Sequence, residues 1–265
     1  MTQQSIKGNS RDMLERDDQG VLHIVGLSGG HDSSCLSLLL REREPRPYNY
    51  LCTPTGDELP EMFAHWRRMG ELLGKRILPV MTVSLRQLID EYGALPNFRQ
   101  RWCTRRIKIE PYAAFLAEQA KLGPVVSYVG LRADEPERVG GLYGHIDGVT
   151  TRHPLREWGY GESEVQADLA CRGVVCPIRT DCARCYHQRV GEWFLLWMDN
   201  RDVFLDAEND EATTGFTFRS PGRDSWPTAL RDLRAAFEAG KVPSTSLNRM
   251  ARETMAAGAC RACRM

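Results

Sequence analysis

Ser28-Gly29-Gly30-His31-Asp32-Ser33-Ser34 follows an apolar run, Val21 to Leu27, and leads into a helix-patterned run, Ser33 to Arg43. Residues of these types at a strand-to-helix turn can hold an anion. Adjacent glycines permit positive φ and close backbone approach, while the first helical turn offers N–H groups without intrahelical acceptors at the positive end of the dipole. Ser28, Ser33 and Ser34 add hydroxyls. Asp32 needs a separate account, because a carboxylate beside a polyphosphate is unfavourable unless a cation lies between them. It is therefore expected to partner Mg²⁺. The GxxxxGK[ST] spacing of a Walker loop is absent.

A second group with chemical potential is the set of nine cysteines. Cys182-Ala183-Arg184-Cys185 and Cys260-Arg261-Ala262-Cys263 are Cys-x-x-Cys pairs, each able to offer two thiolates to one ion, and together they complete a four-thiolate set. Zinc and a [4Fe–4S] cluster both suit such a set. Cys103 stands among Arg101, Arg105 and Arg106, a setting expected to lower its pKa and favour a nucleophilic or ligating thiolate. The twin pairs leave Cys103 over as a reactive thiol; Cys103 and Cys176 are the alternative ligands. Cys35, Cys52 and Cys171 lie in apolar surroundings and read as core residues.

The elements that must position these groups alternate. Strands are predicted at 21–27, 48–52, 77–83 and 125–129, with helices at 33–43, 61–74, 84–92 and from Lys108 onward. That alternation implies an α/β fold with a doubly wound parallel sheet, whose ligand sites lie at the C-terminal ends of the strands. The loop after the second strand, Thr55-Gly56-Asp57-Glu58, reads either as a metal- or ribose-binding segment or as an ordinary turn. Gly130 and Arg132 follow the fourth strand, with Arg132 either facing phosphates or pairing with Glu135; Lys108 is a phosphate-neutralising cation or a solvated helix residue. The chain divides into a polar arm (1–18), a nucleotide-binding α/β domain (19–158) and a helical, cysteine-rich C-terminal extension (159–265) with helices at 187–198 and 228–239. Trp193 and Trp197, four apart, are expected to pack on one helix face, and Arg219 and Arg223 to lie on a turn-rich loop open to anionic substrate.

With 35 basic and 35 acidic residues, the chain has no global charge to attract nucleic acid, so such a partner would require a local basic strip. No segment has the apolar length of a membrane span, and the N-terminus is polar rather than signal-like, which together suggest a cytoplasmic protein of a bacterium or phage-infected cell.

The segment 28–33 resembles the SGGxDS pyrophosphate loop of the N-type ATP pyrophosphatases. Trp102-Cys103-Thr104, Lys108 and Pro111 resemble the WC block of the phosphoadenosine phosphosulfate (PAPS) reductase family, in matching order with the Thr55–Glu61 loop and Gly130-Leu131-Arg132. The resemblance spans about Val21 to Arg156. It implies an enzyme that binds ATP through Ser28, Gly29, Gly30, Ser33, Ser34, Thr55, Asp57, Gly130 and Arg132, with Asp32, Cys103, Lys108 and Arg132 as catalytic groups. Two departures separate the chain from sulfonucleotide reductases: Asp32 is retained, and the reductive ECGLH-type tail is absent. Thr104 also stands where cluster-binding members carry a second cysteine. The implied reaction is adenylation of a substrate oxygen for replacement by sulfur, with a nucleic acid as one candidate acceptor, a sulfur-donor protein as partner and a homodimer as a compatible assembly. A PAPS or adenylyl-sulfate reductase and a non-catalytic nucleotide-binding metalloprotein subunit are the alternatives.

Overall fold

The computed structural model describes residues 14–139 and 144–244. Five strands form one sheet in the order β3-β2-β1-β4-β5, every pairing parallel: β1 (Leu22–Gly26), β2 (Asn49–Cys52), β3 (Ile77–Pro79), β4 (Val125–Tyr128) and β5 (Val149–Arg152). Parallel strands need helical crossovers, so both faces of the sheet are covered and the central strands are buried, mostly apolar, with His23, Asn49 and Ser127 as buried polar residues. On one face, Leu36, Leu39 and Leu40 of α1 (His31–Arg43), Met69 and Leu73 of α2 (Pro60–Leu73) and Val165 and Leu169 of α6 (Glu162–Cys171) pack with Val25, Leu27, Tyr50 and Tyr128. On the other, Leu116 of α4 (Glu110–Ala120) meets Leu22, Ile24, Leu51 and Val125. The doubly wound α/β class expected from the alternation is thus the observed one.

The winding reverses between β1 and β4, and the C-terminal ends of strands at such a reversal are where sheets of this kind bind ligands. A six-residue π-helical turn, Thr104–Ile109, enters α4. Pro111, in the first turn of α4, has no N–H to give to the carbonyl four residues back, so a regular α-helix cannot run unbroken through the junction.

The C-terminal helices α7 (Val190–Asp199), α8 (Arg201–Thr214) and α9 (Leu230–Glu238) enclose a second core of Trp193, Phe204, Phe218, Leu233 and Phe237. This core continues into Leu85, Leu88 and Ile89 of α3 (Leu85–Tyr92) and into Ile107. Trp193 and Trp197 serve that core, as their spacing suggested.

Several expectations are revised. β3 ends at Pro79 instead of Val83, the ladder closing with the Val80 N–H to the Cys52 carbonyl at 2.8 Å. Strand β5 and helices α5 (Pro154–Glu157), α6 and α8 lie where no element was expected. Helix α6 packs against α1, so the first core draws on residues beyond 158. Cys35 and Cys52 are buried as expected, but Cys171 is exposed at the end of α6. Among the described residues no helix is long and apolar enough to cross a membrane.

Within the second core, the Glu211 carboxylate accepts the Phe218 N–H at 2.8 Å and the Leu230 N–H at 2.6 Å, tying α8 to the start of α9. Burial pushes its pKa up to about 7, against the opposing pull of those two donors. A carboxyl that holds its proton more tightly when folded contributes stability that is full below the unfolded value of 4.5 and is lost as pH rises to about 7. Thermal unfolding followed across that window should show stability falling by on the order of 3 kcal/mol. Glu211→Gln should flatten the slope, and an unchanged slope in the variant would assign the effect elsewhere.

Candidate nucleotide loop and cysteine cavity

The turn after β1 has the geometry its residues suggested. Gly29 adopts φ +91°, and a Cβ there would stand 2.6 Å from Met62 Sδ and 3.0 Å from Trp66 Nε1, so both conformation and space require glycine. Gly30 caps α1. Ser33 Oγ accepts from the Gly29 N–H at 3.2 Å, donates to the Gly30 carbonyl at 3.1 Å and shares a hydrogen bond with Ser28 Oγ at 3.1 Å. These hydroxyls hold the turn in shape. The N–H groups of His31, Asp32 and Ser33 begin the helix, where no carbonyl of the same helix can reach them.

Ser34 points away from this turn. Its N–H bonds the Gly30 carbonyl at 3.0 Å, and its hydroxyl lies 3.0 Å from Nε2 of buried His65. Burial depresses His65 to about 4, so the ring is neutral and Ser34 donates to it. Cys176 lies beside Ser34, its pKa raised by burial to about 11, and not with the other candidate ligands. Gly130 contributes by size: a Cβ there would come within 3.1 Å of the Asp32 backbone, so its absence lets the end of β4 abut the start of α1.

Arg132 is 4% exposed and lies among four carboxylates, with N···O separations of 3.2 Å to Asp32, 2.9 Å to Asp134, 3.5 Å to Glu135 and 3.4 Å to Glu162. The anticipated pairing with Glu135 is thus present, alongside three others. Arg138 joins Glu135 at 2.6 Å, and Arg156 donates to the backbone carbonyls of Arg132, Glu135 and Arg138. Burial raises the Asp32 pKa, with Arg132 as the chief opposing influence and Glu135 adding to the rise. The carboxyl is therefore reluctant to hold its charge without a cation, and Arg132 is that cation here.

The loop after β2 has the turn geometry that was one of its two readings. The Asp57 carboxylate takes the Arg184 side chain, with Nε at 2.8 Å, and the Arg184 N–H at 3.1 Å, while the Asp57 carbonyl accepts from Ala183 at 2.7 Å. Glu58 accepts from Thr55 N–H at 2.6 Å, Thr55 hydroxyl at 2.7 Å and Gly56 N–H at 3.0 Å, folding the loop on itself. Asp57 and Glu58 are thus occupied by protein partners, and Thr55 lies at the cysteine cavity.

That cavity is largely enclosed, about 20 Å³, and lined by Cys103, Cys182 and Cys185 together with Thr55, Lys108 and Asp181. Such a volume admits one water-sized occupant. Cys182 and Cys185 touch each other through their thiols, and this contact, with burial, holds the Cys182 thiol well above its ordinary value. The expected activation of Cys103 by its arginines is not what the structure shows. Burial and the neighbouring Cys185 push Cys103 up to about 11, and Lys108 is the cation that works against them. Arg105 and Arg106 turn outward to Glu110, at 2.8 and 3.0 Å. Cys260 and Cys263 lie outside the described residues, among which no three metal-ligating side chains converge.

Five arginines of this region have partners that the sequence did not indicate. Arg184, between the two cysteines, is buried against both Asp57 and Asp210, with Asp210 Oδ2 at 2.6 Å; Arg86 of α3 also reaches Asp210. Arg179 donates to Gln188 at 2.9 Å and to the Cys182 carbonyl at 2.8 Å. Arg223 bonds the carbonyls of His187 and Gln188, both at 2.9 Å, and Arg219 is buried against Asp224 at 2.7 Å, so neither faces the solvent-borne anion envisaged for that loop.

No family model matches the chain, and no curated protein matches it. Among solved structures it is similar to the phosphoadenylyl-sulfate (PAPS) reductase of Candida auris, crystallised as a phosphate complex. That likeness has 15% identity and a TM-score of 0.44, over 58% of this chain and 74% of that one.

Truncating Arg184 should leave Asp57 and Asp210 buried without their shared cation. Arg184→Ala is expected to cost about 3–5 kcal/mol in denaturant unfolding. Arg184→Lys, which keeps the charge but loses the forked geometry, should recover part of that. Wild-type stability in Arg184→Ala would show that the two carboxylates are satisfied by other means.

Proposed function

We propose that this chain is an ATP pyrophosphatase that adenylates a substrate oxygen in preparation for sulfur transfer. The observation that carries the reading is the loop at the winding reversal, where a positive-φ glycine, the N-terminus of α1 and a half-buried aspartate meet. The N–H groups of His31 to Ser33 would receive the β- and γ-phosphates, and Ser28 and Ser33 would keep those donors aimed. Donors fixed before the reaction stabilise the charge that develops on departing pyrophosphate, and one well-placed group is worth about 3 kcal/mol, or roughly a hundredfold in rate.

Asp32 suits Mg²⁺, which takes one or two carboxylates together with phosphate oxygens and needs no all-protein cage. When bound there, the ion would supply charge neutralisation at the phosphates. Arg132, released from Asp32, would keep three other carboxylates in place and could turn its Nη1 toward the α-phosphate. These roles require Asp32 to be ionised with nucleotide bound.

The thiols of Cys182 and Cys185 form the ready half of a metal centre, and Cys103 faces the same cavity. The remaining ligands in this reading come from Cys260 and Cys263. Four such thiolates would hold either a [4Fe–4S] cluster, which would link the centre to sulfur chemistry, or a single zinc ion. The small cavity favours a single ion such as zinc, because a cubane would need the 180–186 loop to open.

With ATP and Mg²⁺, wild-type protein should release pyrophosphate slowly in the absence of acceptor, and Asp32→Asn should lower that rate at least a hundredfold without altering the unfolding midpoint. Sulfite release from PAPS, in place of pyrophosphate release from ATP, would replace this reading with a reductase. Metal and sulfide analysis after anaerobic purification should give iron with sulfide if the cluster is correct and stoichiometric zinc if the single ion is. In either case Cys182→Ser with Cys185→Ser should remove the metal.

A further inference from the structure

One face of α2 has an outward pattern unlike an ordinary solvated helix. Met62, His65, Met69 and Leu73 form the buried stripe. Flanking it, Phe63, Trp66, Arg67, Gly70 and Gly74 recur at the spacing of an adjoining helix face, with Trp66 half-buried against the first core. Phe63 is 50% exposed and stands edge-on to Trp66, with ring centroids 5.8 Å apart. An exposed phenyl ring held in place by an indole is a stacking platform rather than a core residue.

Beside this face lies an open groove of about 560 Å³, bounded by Trp66, Arg67, Gly70, Glu71, Gly74, Lys75 and Arg76, its one carboxylate, Glu71, being paired with Arg68. The glycines keep its floor low. Arg67 and Arg76 are exposed, and among the described residues neither has a carboxylate partner. The nearby pairs are made by other cations, Arg68 with Glu71 at 3.6 Å and Lys75 with Glu15 at 2.7 Å. The groove thus combines uncommitted guanidiniums, an aromatic wall and backbone-level access. A strand of nucleic acid uses all three: phosphates meet the guanidiniums, and unstacked bases meet the rings. An acidic protein surface would use the charges and leave the ring and the glycine floor without purpose.

We infer that the groove along α2, from Phe63 to Arg76, binds single-stranded nucleic acid. Trp66 also connects it with the candidate nucleotide loop, since its indole nitrogen lies 3.0 Å from where a Cβ on Gly29 would be. A strand in the groove therefore passes within one side chain of that loop. The inference rests on the proposed function only in naming what such a strand would be for, namely to present the acceptor oxygen; binding itself stands independently.

The test is fluorescence anisotropy of a short labelled single-stranded oligonucleotide, titrated with the full chain across a salt series. Wild type should bind, and the double variant Arg67→Glu with Arg76→Glu should weaken binding at least tenfold and reduce the salt slope by more than one. Phe63→Ala should weaken it about fivefold or more with the salt slope unchanged, because a stacking contact releases no counterions. All three positions are exposed, and circular dichroism with the thermal unfolding midpoint confirms that the variants remain folded. Failure of wild type to bind, or wild-type affinity in the charge-reversal variant, would overturn the inference while leaving the adenylation reading intact. Binding of a duplex or an acidic polypeptide in preference to the single strand would overturn it as well. Oligonucleotide binding without any ATP turnover would instead uphold the groove and remove the enzyme.

Discussion

Arg184 is the interaction on which the rest of the site depends. Its guanidinium is buried between Asp57, from the loop after β2, and Asp210 of α8, and Arg86 of α3 closes the chain from the other side of Asp210. A buried guanidinium without anionic partners is strongly unfavourable, and a buried carboxylate without a cation is equally so. Each of the three segments therefore fixes the others. The sheet domain and the helical extension meet here through charge as well as through the apolar contact of α3 with the second core. Because Arg184 lies between Cys182 and Cys185, the same ion chain sets where the two thiols point. A Cys-x-x-Cys turn on a loop would otherwise have little to hold it.

Two charged clusters lie after β2 and after β4, and they differ in balance. On the β2 side, Asp57 and Asp210 face Arg184 and Arg86, a closed set with equal numbers of each sign. On the β4 side, four carboxylates face Arg132, with Arg138 on Glu135 and Arg156 turned to backbone carbonyls. The first set has no use for another ion. The second has an anionic surplus next to the helix N-terminus, and Glu135 adds to the rise that burial imposes on the Asp32 pKa. A polyphosphate alone would worsen that surplus, whereas a phosphate bound with a divalent cation would relieve it.

The parts legible in the sequence were those set by local rules. Val21 to Leu27 followed by paired glycines could hardly be other than a strand running into a turn and a helix, and the parallel sheet followed from repeating that alternation. What could not be read depended on tertiary partners. Asp57 and Glu58 have the composition of a ligand loop and also of a turn, and only the position of Arg184, 127 residues along the chain, decides that Asp57 is spent on protein. Arg219 and Arg223 sit among Ser, Pro and Gly, which suggests solvent, yet their guanidiniums close backbone carbonyls and a carboxylate inside the fold. The β5 strand, Val149–Arg152, is short and half polar because it is an edge, so its sequence lacks the apolar signature of the inner strands.

Cys103 shows why sequence neighbours are a poor guide to electrostatics. Three arginines surround it in the chain, and a thiol so placed would be expected to ionise readily. On a helical turn, however, adjacent residues point in different directions. Arg105 and Arg106 leave the surface for Glu110, while Cys103 turns inward to meet Cys185 and Lys108. Burial then outweighs the remote positive charge, because desolvating a thiolate acts at full strength inside the protein whereas charges in solvent are screened. A thiol with a pKa near 11 is a poor free nucleophile at neutral pH, and a metal ion is the agent that deprotonates a buried thiol outright. The three thiols therefore share the lining of one small cavity, Cys103 and Cys182 as protonated groups, with Lys108 as the positive charge beside them.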